Sequence, residues 1–297
     1  MSLVNPVSAE VRAALERVTV VVVTFNSAHC LPDLGRALAA CPQVVVVDNG
    51  SDDGCASLTP QHLPQAQVLA LPQNLGFGAA NNRALAQVRT PFALLLNPDC
   101  ELAPEALAAL VAAADADPQA AVLAPQLTNA QGRPDVNYRW PHLHWASRGP
   151  AADGPACVGF VCGAAMLCRL SAFEGVGFFD ERFFLYYEDD DLCLRLFQAR
   201  RPMVVVPNVT AVHRSRGSVR GNSPWRSEYL RGYHHAQSKL IFTAKHQTVA
   251  RAQRQRRRLV GTTLLGLPLR LLLISPRLAA RMVGRLRGAL DWTPPHG

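Results

Sequence analysis

No C-x-x-C pair occurs among the eight cysteines of this chain, which stand at 30, 41, 55, 100, 157, 162, 168 and 193. A structural zinc site built on closely spaced thiolates is therefore not expected. Several cysteines, Cys168 and Cys193 among them, sit inside apolar stretches and read as small buried hydrophobes. There is no G-x-x-x-x-G-K-[ST] run, which argues against a P-loop enzyme. Asn74-Leu75-Gly76-Phe77-Gly78 looks like a glycine-rich phosphate loop, but the place of a third glycine is taken by Asn81. The loop also follows the third strand-like run instead of the first, so a Rossmann dehydrogenase is a poor fit. Unbroken apolar runs are short. Val18–Val23 is too brief for a signal peptide, and Leu259–Ile274 is interrupted by Gly266, Pro268 and Arg270. A membrane span needs roughly 20 apolar residues, so none is expected, and the chain is expected to be cytoplasmic. Acid is missing from one region: between Lys245 and Arg287 there are eleven Lys and Arg and no Asp or Glu. The formal net charge of +8 thus resides in that tail, leaving −3 for the remainder. A uniformly basic nucleic-acid binder does not have this distribution, and few aromatics interleave with the arginines.

What is present is a β–α repeat. Val18–Val23 is a β-branched run suited to a strand buried on both faces. Val44–Val47, Val68–Leu71 and Phe92–Leu96 repeat the signal, with helical spacing over 31–40, 79–88 and 104–114. Strands alternating with helices predict a mostly parallel central sheet flanked by helices. Ligands bind such sheets at the carboxyl ends of the strands. The polar motifs all lie just after strands, so four loops converge on one site.

Further along, 125–155 lacks a clear period and reads as a long irregular connection bordering the site, while 158–170 reads as two strand segments around a bend at Gly163. Trp140 in the connection and Gly163 at the bend are the acceptor-side candidates. Met203–Val206 is another strand and leads to His213. The chain divides into residues 1–244, a catalytic domain, and 245–297, a basic amphipathic helical extension. In the latter, Arg277, Arg281, Arg285 and Arg287 alternate with Leu278, Met282 and Leu286, a pattern suited to an anionic membrane surface. An exposed packing helix pair is the alternative.

The most informative stretch is F-F-L-Y-Y-E-D-D-D-L-C-L-R, Phe183–Arg195. Adjacent carboxylates beside apolar residues repel one another and lose solvent, which raises a pKa and tunes a general base. The plainer reading is a helix N-terminus, where acids face the positive end of the dipole. Asp99 ends a strand as N-P-D and can hold a divalent cation against a diphosphate, or it belongs to an ordinary turn. Asp48, in V-D-N-G-S, can accept hydrogen bonds from a base or ribose, or form an Asx-turn. His213 can join Asp99 at a metal, with Arg214 and Arg216 taking phosphate charge, or it is structural.

Taken together, V-V-V-T-F-N-S, V-V-V-D-N-G-S-D-D-G, N-L-G-F-G-A-A-N-N, L-L-L-N-P-D, G-F-F-D-E-R-F-F-L-Y-Y-E-D-D-D-L-C-L-R and V-H-R run in order from 18 to 216. They resemble the family 2 glycosyltransferases of the GT-A fold, in their rhamnosyltransferase-like bacterial branch. The resemblance implies transfer with inversion from a nucleotide-diphospho-sugar, dTDP- or UDP-linked, with Mg²⁺ or Mn²⁺ on the diphosphate. It sets Thr24, Phe25, Asn26 and Asp48 around base and ribose, with Asn74, Gly76 and Phe77 near the nucleotide. Asn97 and Asp99 fill the D-x-D-type motif, with Asp99 and His213 as metal ligands. Asp189 is the base it implies, with Glu188 beside it, and Asp191 caps or orients the helix. The acceptor is expected to be a glycan or lipid-linked glycan, met at the inner face of the cell membrane through the C-terminal tail. A non-catalytic nucleotide-sugar-binding or scaffold homologue is the competing reading, and a nucleotidyltransferase a third.

Overall fold

The structure, a computed structural model, describes residues 7–141, 150–214, 224–272 and 276–294. Ser215 and Arg216 lie outside the described residues. Contacts divide the chain into two units. One takes 76–78, 180–191 and the C-terminal region from 224 onward, and the other takes the remainder.

The larger unit is a nine-stranded sheet with helices. In chain order it holds α1 (Ala9–Leu15), β1 (Val18–Thr24), α2 (Leu31–Ala37), β2 (Val44–Asp48), α3 (Cys55–His62) and β3 (Ala66–Ala70). Next come α4 (Phe77–Leu85), β4 (Phe92–Leu96), β5 (Cys100–Glu101), α5 (Pro104–Ala116) and β6 (Val122–Thr128). Then follow β7 (Tyr138–Arg139), β8 (Ala156–Val158), β9 (Phe160–Val161), β10 (Ala165–Arg169), α6 (Glu188–Gln198), whose residues 188–191 belong to the smaller unit, and β11 (Met203–His213). The sheet order is β3-β2-β1-β4-β10-β6-β11-β5, with β8 also on β11, while β7 and β9 form a separate ribbon.

The expected parallel block β3-β2-β1-β4 is present in register: Thr24 pairs with Asp48, and Val22 with both Val46 and Leu96. The valines of β1 and β2 and the leucines of β4 are buried. β3 lies at the edge and is partly exposed, which is why its sequence mixes polar and apolar residues. The second half of the sheet is mixed: β10 runs antiparallel to β4 and β6, whereas β11 is parallel to β6. The strand order reverses between β1 and β4. At such a reversal the two flanking loops part and leave a crevice at the carboxyl ends of the strands.

β6 runs into the stretch 125–155 read as irregular, where Pro125 interrupts V-L-A-P-Q-L-T. α3 was not anticipated either, since it carries Pro60 and starts from the left-handed Gly54. The cysteines behave as hydrophobes: all eight are free thiols and six are buried, and burial pushes Cys41 up to about 11.

The smaller unit holds α7 (Pro224–His246), α8 (Val249–Leu272) and α9 (Pro276–Asp291). Residue 245 lies at the end of α7, and 224–244 belong to this unit as well. Its own small core includes Ala236, Leu240, Ala252, Leu259, Ala289 and Trp292. α7 and α9 meet through glycines. A Cβ on Gly284 would lie 1.9 Å from the Tyr229 carbonyl oxygen, and one on Gly232 2.0 Å from that of Arg281. α8 continues through Gly266 and Pro268, and no helix among the described residues is long and apolar enough to cross a membrane.

Candidate active site

At the ends of β1, β2 and β3 the loops are stitched together by side-chain hydrogen bonds. Asn49 Nδ2 donates to Asn74 Oδ1 at 3.0 Å, and Leu75 N donates to Asn49 Oδ1 at 2.8 Å. Asn26 takes a left-handed backbone (φ 53°), which asparagine tolerates. Its N–H donates to Ser51 Oγ at 2.9 Å, and its Oδ1 accepts from Asp52 N at 3.0 Å. Ser51 Oγ in turn donates to Asp48 Oδ1, and Asp48 is buried. Thr24 is buried with Oγ1 directed to Val47 O at 3.3 Å, and Phe25 is half-buried. Gly50, at φ 76°, lets the second loop meet Gln73 closely; a Cβ there would lie 2.6 Å from the Gln73 carbonyl carbon. Thr24, Phe25, Asn26, Asp48 and Asn74 thus lie on one hydrogen-bonded rim, in which Asn26 and Gly50 hold the left-handed backbone that few other residues accept.

The end of β4 carries Asn97 and Asp99. Asn97 N donates to Ala164 O at 2.9 Å, which sets Gly163 beside this strand end. Trp140 directly follows β7, and its indole N–H donates to Pro150 O at 3.2 Å. Pairing of β11 with β5 aligns His213 with Cys100. It brings His213 Nε2 to 3.6 Å from Asp99 Oδ1, with the Asp99 side chain only 3% exposed. Backbone anchors this pair, since Arg214 N donates to Asp99 O at 2.9 Å. The Arg214 guanidinium, expected to take phosphate charge, instead pairs with Glu101 Oε1 at 2.5 Å and Asp33 Oδ2 at 3.1 Å. Among the described residues no three His, Cys, Asp or Glu side chains cluster as metal ligands. Asp99 and His213 offer one oxygen and one nitrogen, a set that fits a divalent cation completing its shell from substrate oxygens and water.

In the smaller unit the acidic tetrad opens α6. Tyr186 and Tyr187 precede it in left-handed backbone (φ 67° and 68°), a costly conformation for bulky residues. Glu188 is buried, and its Oε2 has no hydrogen-bond partner among the described residues. Burial first, then the charges of Asp189 and Asp190, hold its pKa well above the usual carboxylate range. Asp189 is half-buried, and its Oδ1 accepts from Asp190 N at 2.9 Å. Asp191 is fully buried and is the anchor of the turn: Lys245 Nζ lies 2.5 Å and His246 Nε2 2.7 Å from its Oδ1. Lys245 also reaches Asp180 at 2.7 Å. Burial would raise Asp180, but hydrogen bonds from Arg182 and Lys245 outweigh it and hold that carboxyl well below the usual range. Gly76 and Phe77 belong to this unit too. Phe77 N donates to Phe184 O at 3.0 Å, and a Cβ on Gly76 would lie 2.3 Å from that oxygen.

Lys245 and His246 were not singled out from the sequence. The one available signal was a Lys-His pair closing a helix, which is common and says nothing about its partner.

A mixed sheet of this topology, with polar loops at its strand ends, is the fold of the GT-A glycosyltransferases. The chain belongs to glycosyl transferase family 2, whose profile matches residues 19–177. The chain is 31% identical over 265 residues to the N-acetylglucosaminyl-diphospho-decaprenol L-rhamnosyltransferase of Mycobacterium tuberculosis, covering 76% of this chain and 83% of that one. It is 32% identical over 209 residues to the pre-mycofactocin glycosyltransferase of the same organism, covering 68% of this chain and 44% of that one. Among solved structures, the mannosyltransferase PcManGT of Pyrobaculum calidifontis, in complex with GDP-Man and Mn²⁺, superposes with TM-score 0.55 at 17% identity. That match covers 92% of this chain and 86% of that one. S. aureus TarS in complex with UDP-GlcNAc superposes with TM-score 0.53 at 18% identity, covering 93% and 91%. At these identities the likeness carries the fold.

Proposed function

We propose that this glycosyltransferase is inverting and moves a sugar, rhamnose first among the candidates, from a nucleotide-diphospho-sugar to a hydroxyl of a lipid-linked glycan. The observation that carries this reading is the pairing of Asp99 with His213 at the end of β4, in a chain related over most of its length to a rhamnosyltransferase. Asp48 accepts from base or ribose, and the Asn26, Asn49 and Asn74 rim fixes the nucleotide's orientation. Asp99 and His213 would hold a divalent cation, which would supply positive charge to offset that on the departing diphosphate. Asp189 takes the proton from the acceptor hydroxyl as it attacks the anomeric carbon. Glu188, whose pKa burial holds well above the usual carboxylate range, leaves that role to its neighbour. Asp191, clamped by Lys245 and His246, holds the turn in place. Residues 1–244 supply the catalytic groups, and the basic extension from 245 meets an anionic membrane surface, holding the enzyme near its acceptor.

The test is a thermal-shift screen of the full chain against dTDP-, UDP- and GDP-sugars, each with Mn²⁺, Mg²⁺ or EDTA. A ligand that binds only the folded chain raises Tm. One nucleotide is expected to raise Tm with metal and not with EDTA, and Asp99→Ala is expected to abolish the metal-dependent part. No shift with any nucleotide sugar, or a shift indifferent to EDTA and to Asp99→Ala, overturns the donor and metal assignments respectively.

A further inference from the structure

The three C-terminal helices line an open cavity of about 740 Å³, within the roughly 300–1,000 Å³ of small-molecule sites. Five cations line it: Lys239 from α7, Arg251, Arg254 and Arg258 from α8, and Arg285 from α9. The three α8 arginines are spaced three and four apart, which puts them on one helix face. No acidic side chain and no aromatic ring occurs among the described lining residues. None of the five cations has a carboxylate partner among the described residues. Other cations on α7 and α9 do: Arg231 with Glu228 at 3.0 Å, Arg281 with Glu228 at 3.9 Å and Arg287 with Asp291 at 2.8 Å. Arg251, Arg254, Arg258 and Arg285 are exposed and Lys239 is half-buried, and like charges lining one hollow repel. Burial, then Arg285 and Arg258, lower the pKa of Lys239 accordingly. A fold that keeps such a cluster without internal counter-charge is arranged for an external anion.

We propose that this cavity binds a phosphate- or diphosphate-bearing group. Guanidinium forks match phosphate oxygens in pairs, and the lysine adds a point charge. The missing aromatic ring removes the usual platform for a nucleobase, so the ligand is recognised through its phosphates. Beside the cavity, past the lining residues Thr262 and Thr263, α8 exposes Leu264 (52%) and Leu265 (83%). On α9, Leu278 (41% exposed) lies one turn before the lining residue Met282. This apolar ledge favours a phosphate carried on a lipid over a free one. The inference rests on the helical unit alone and does not depend on the transferase reaction.

Two assays on the full chain test it. In calorimetry at constant ionic strength, inorganic pyrophosphate is expected to bind. Arg254→Gln with Arg258→Gln is expected to weaken binding at least about tenfold, consistent with the loss of two charge-assisted contacts. Lys239→Met, on another helix, is expected to weaken it in the same direction. Arg277→Gln removes a charge outside the cavity and is expected to change affinity less than about twofold, as diffuse screened charge does. In co-sedimentation, phosphatidylcholine vesicles with and without phosphatidic acid separate the sources. Phosphatidic-acid-dependent sedimentation that the double variant loses identifies a lipid-borne phosphate, whereas pyrophosphate binding without it identifies a free one. No binding in either assay overturns the proposal, as does an equal loss in Arg277→Gln. The nucleotide-sugar thermal shift of each variant is read alongside, so that failure here is distinguished from failure of the donor assignment.

Discussion

The four consecutive acids differ in environment more than in chemistry. Asp191 is buried and clamped by two basic side chains, Glu188 is buried without a partner at Oε2, and Asp189 is half-buried. One turn therefore holds an anchored carboxylate, a buried acid whose pKa is raised, and a half-buried carboxylate proposed as the proton acceptor. Asp189→Asn is expected to lower kcat by about 10²–10⁴ with donor binding unchanged. Glu188→Gln removes a charge that burial disfavours and is expected to retain most turnover. The check is steady-state transfer from the donor found in the thermal screen, measured beside donor affinity. The reverse ranking of the two variants would move the base to Glu188.

Among elements, the α7–α9 contact depends on missing side chains. Gly232, Gly284 and Gly288 let the two backbones approach to a distance that no Cβ permits. Gly284→Ala is expected to cost about 1–3 kcal/mol through overpacking. Gly261, in α8, has nothing within 4 Å of a built Cβ. Gly261→Ala is expected to stabilise by about 0.5–1 kcal/mol, because alanine loses less backbone freedom in a helix. Urea denaturation of the two variants provides the comparison. Equal effects would mean that glycine spacing does not set this packing.

For the whole molecule, charge sets how stability depends on pH. His235 packs edge-on to Tyr186 and Tyr187. Burial first, then Lys239, Arg281 and Arg285, lower its pKa from 6.5 to about 4. The unfolded chain binds this proton at higher pH than the folded one, so the contribution is present above pH 6.5 and is lost as pH falls toward 4. The full effect is about 3 kcal/mol by linkage. His235→Phe keeps a ring and removes the titration, so its Tm is expected to fall less than that of the parent across this window. Asp180, with its lowered pKa, contributes on the same side, its stabilisation being lost at still lower pH. Glu188 acts oppositely: its raised pKa makes stability fall as pH rises above the ordinary glutamate value. The balance of these slopes is read by calorimetric scans of the full chain from pH 4 to pH 8, about the range over which buried histidines titrate.

How much was legible in the sequence follows from the range of each force. The valine runs of β1 and β2 and the leucines of β4 can satisfy their burial only inside a sheet, so the parallel block, its polar strand ends and the helical start at Glu188 were readable from local pattern. α7 was not readable, because its histidines, tyrosines and arginines show no clean apolar stripe; it packs instead through glycine gaps. His213 against Asp99, 114 positions away, was expected from the family resemblance and not from local pattern, whereas the placement of Lys245 and His246 on Asp191 was not readable at all. The same holds for the five cations around one cavity, which come from three helices. The sequence by itself determined which segments form strands and helices and which polar residues end the strands, because those choices answer to periodicity and backbone sterics within a few residues. Strand register and helix packing decided which of those residues meet, because an ion pair or a ligand site needs groups within a few ångströms in space, however far apart they lie along the chain.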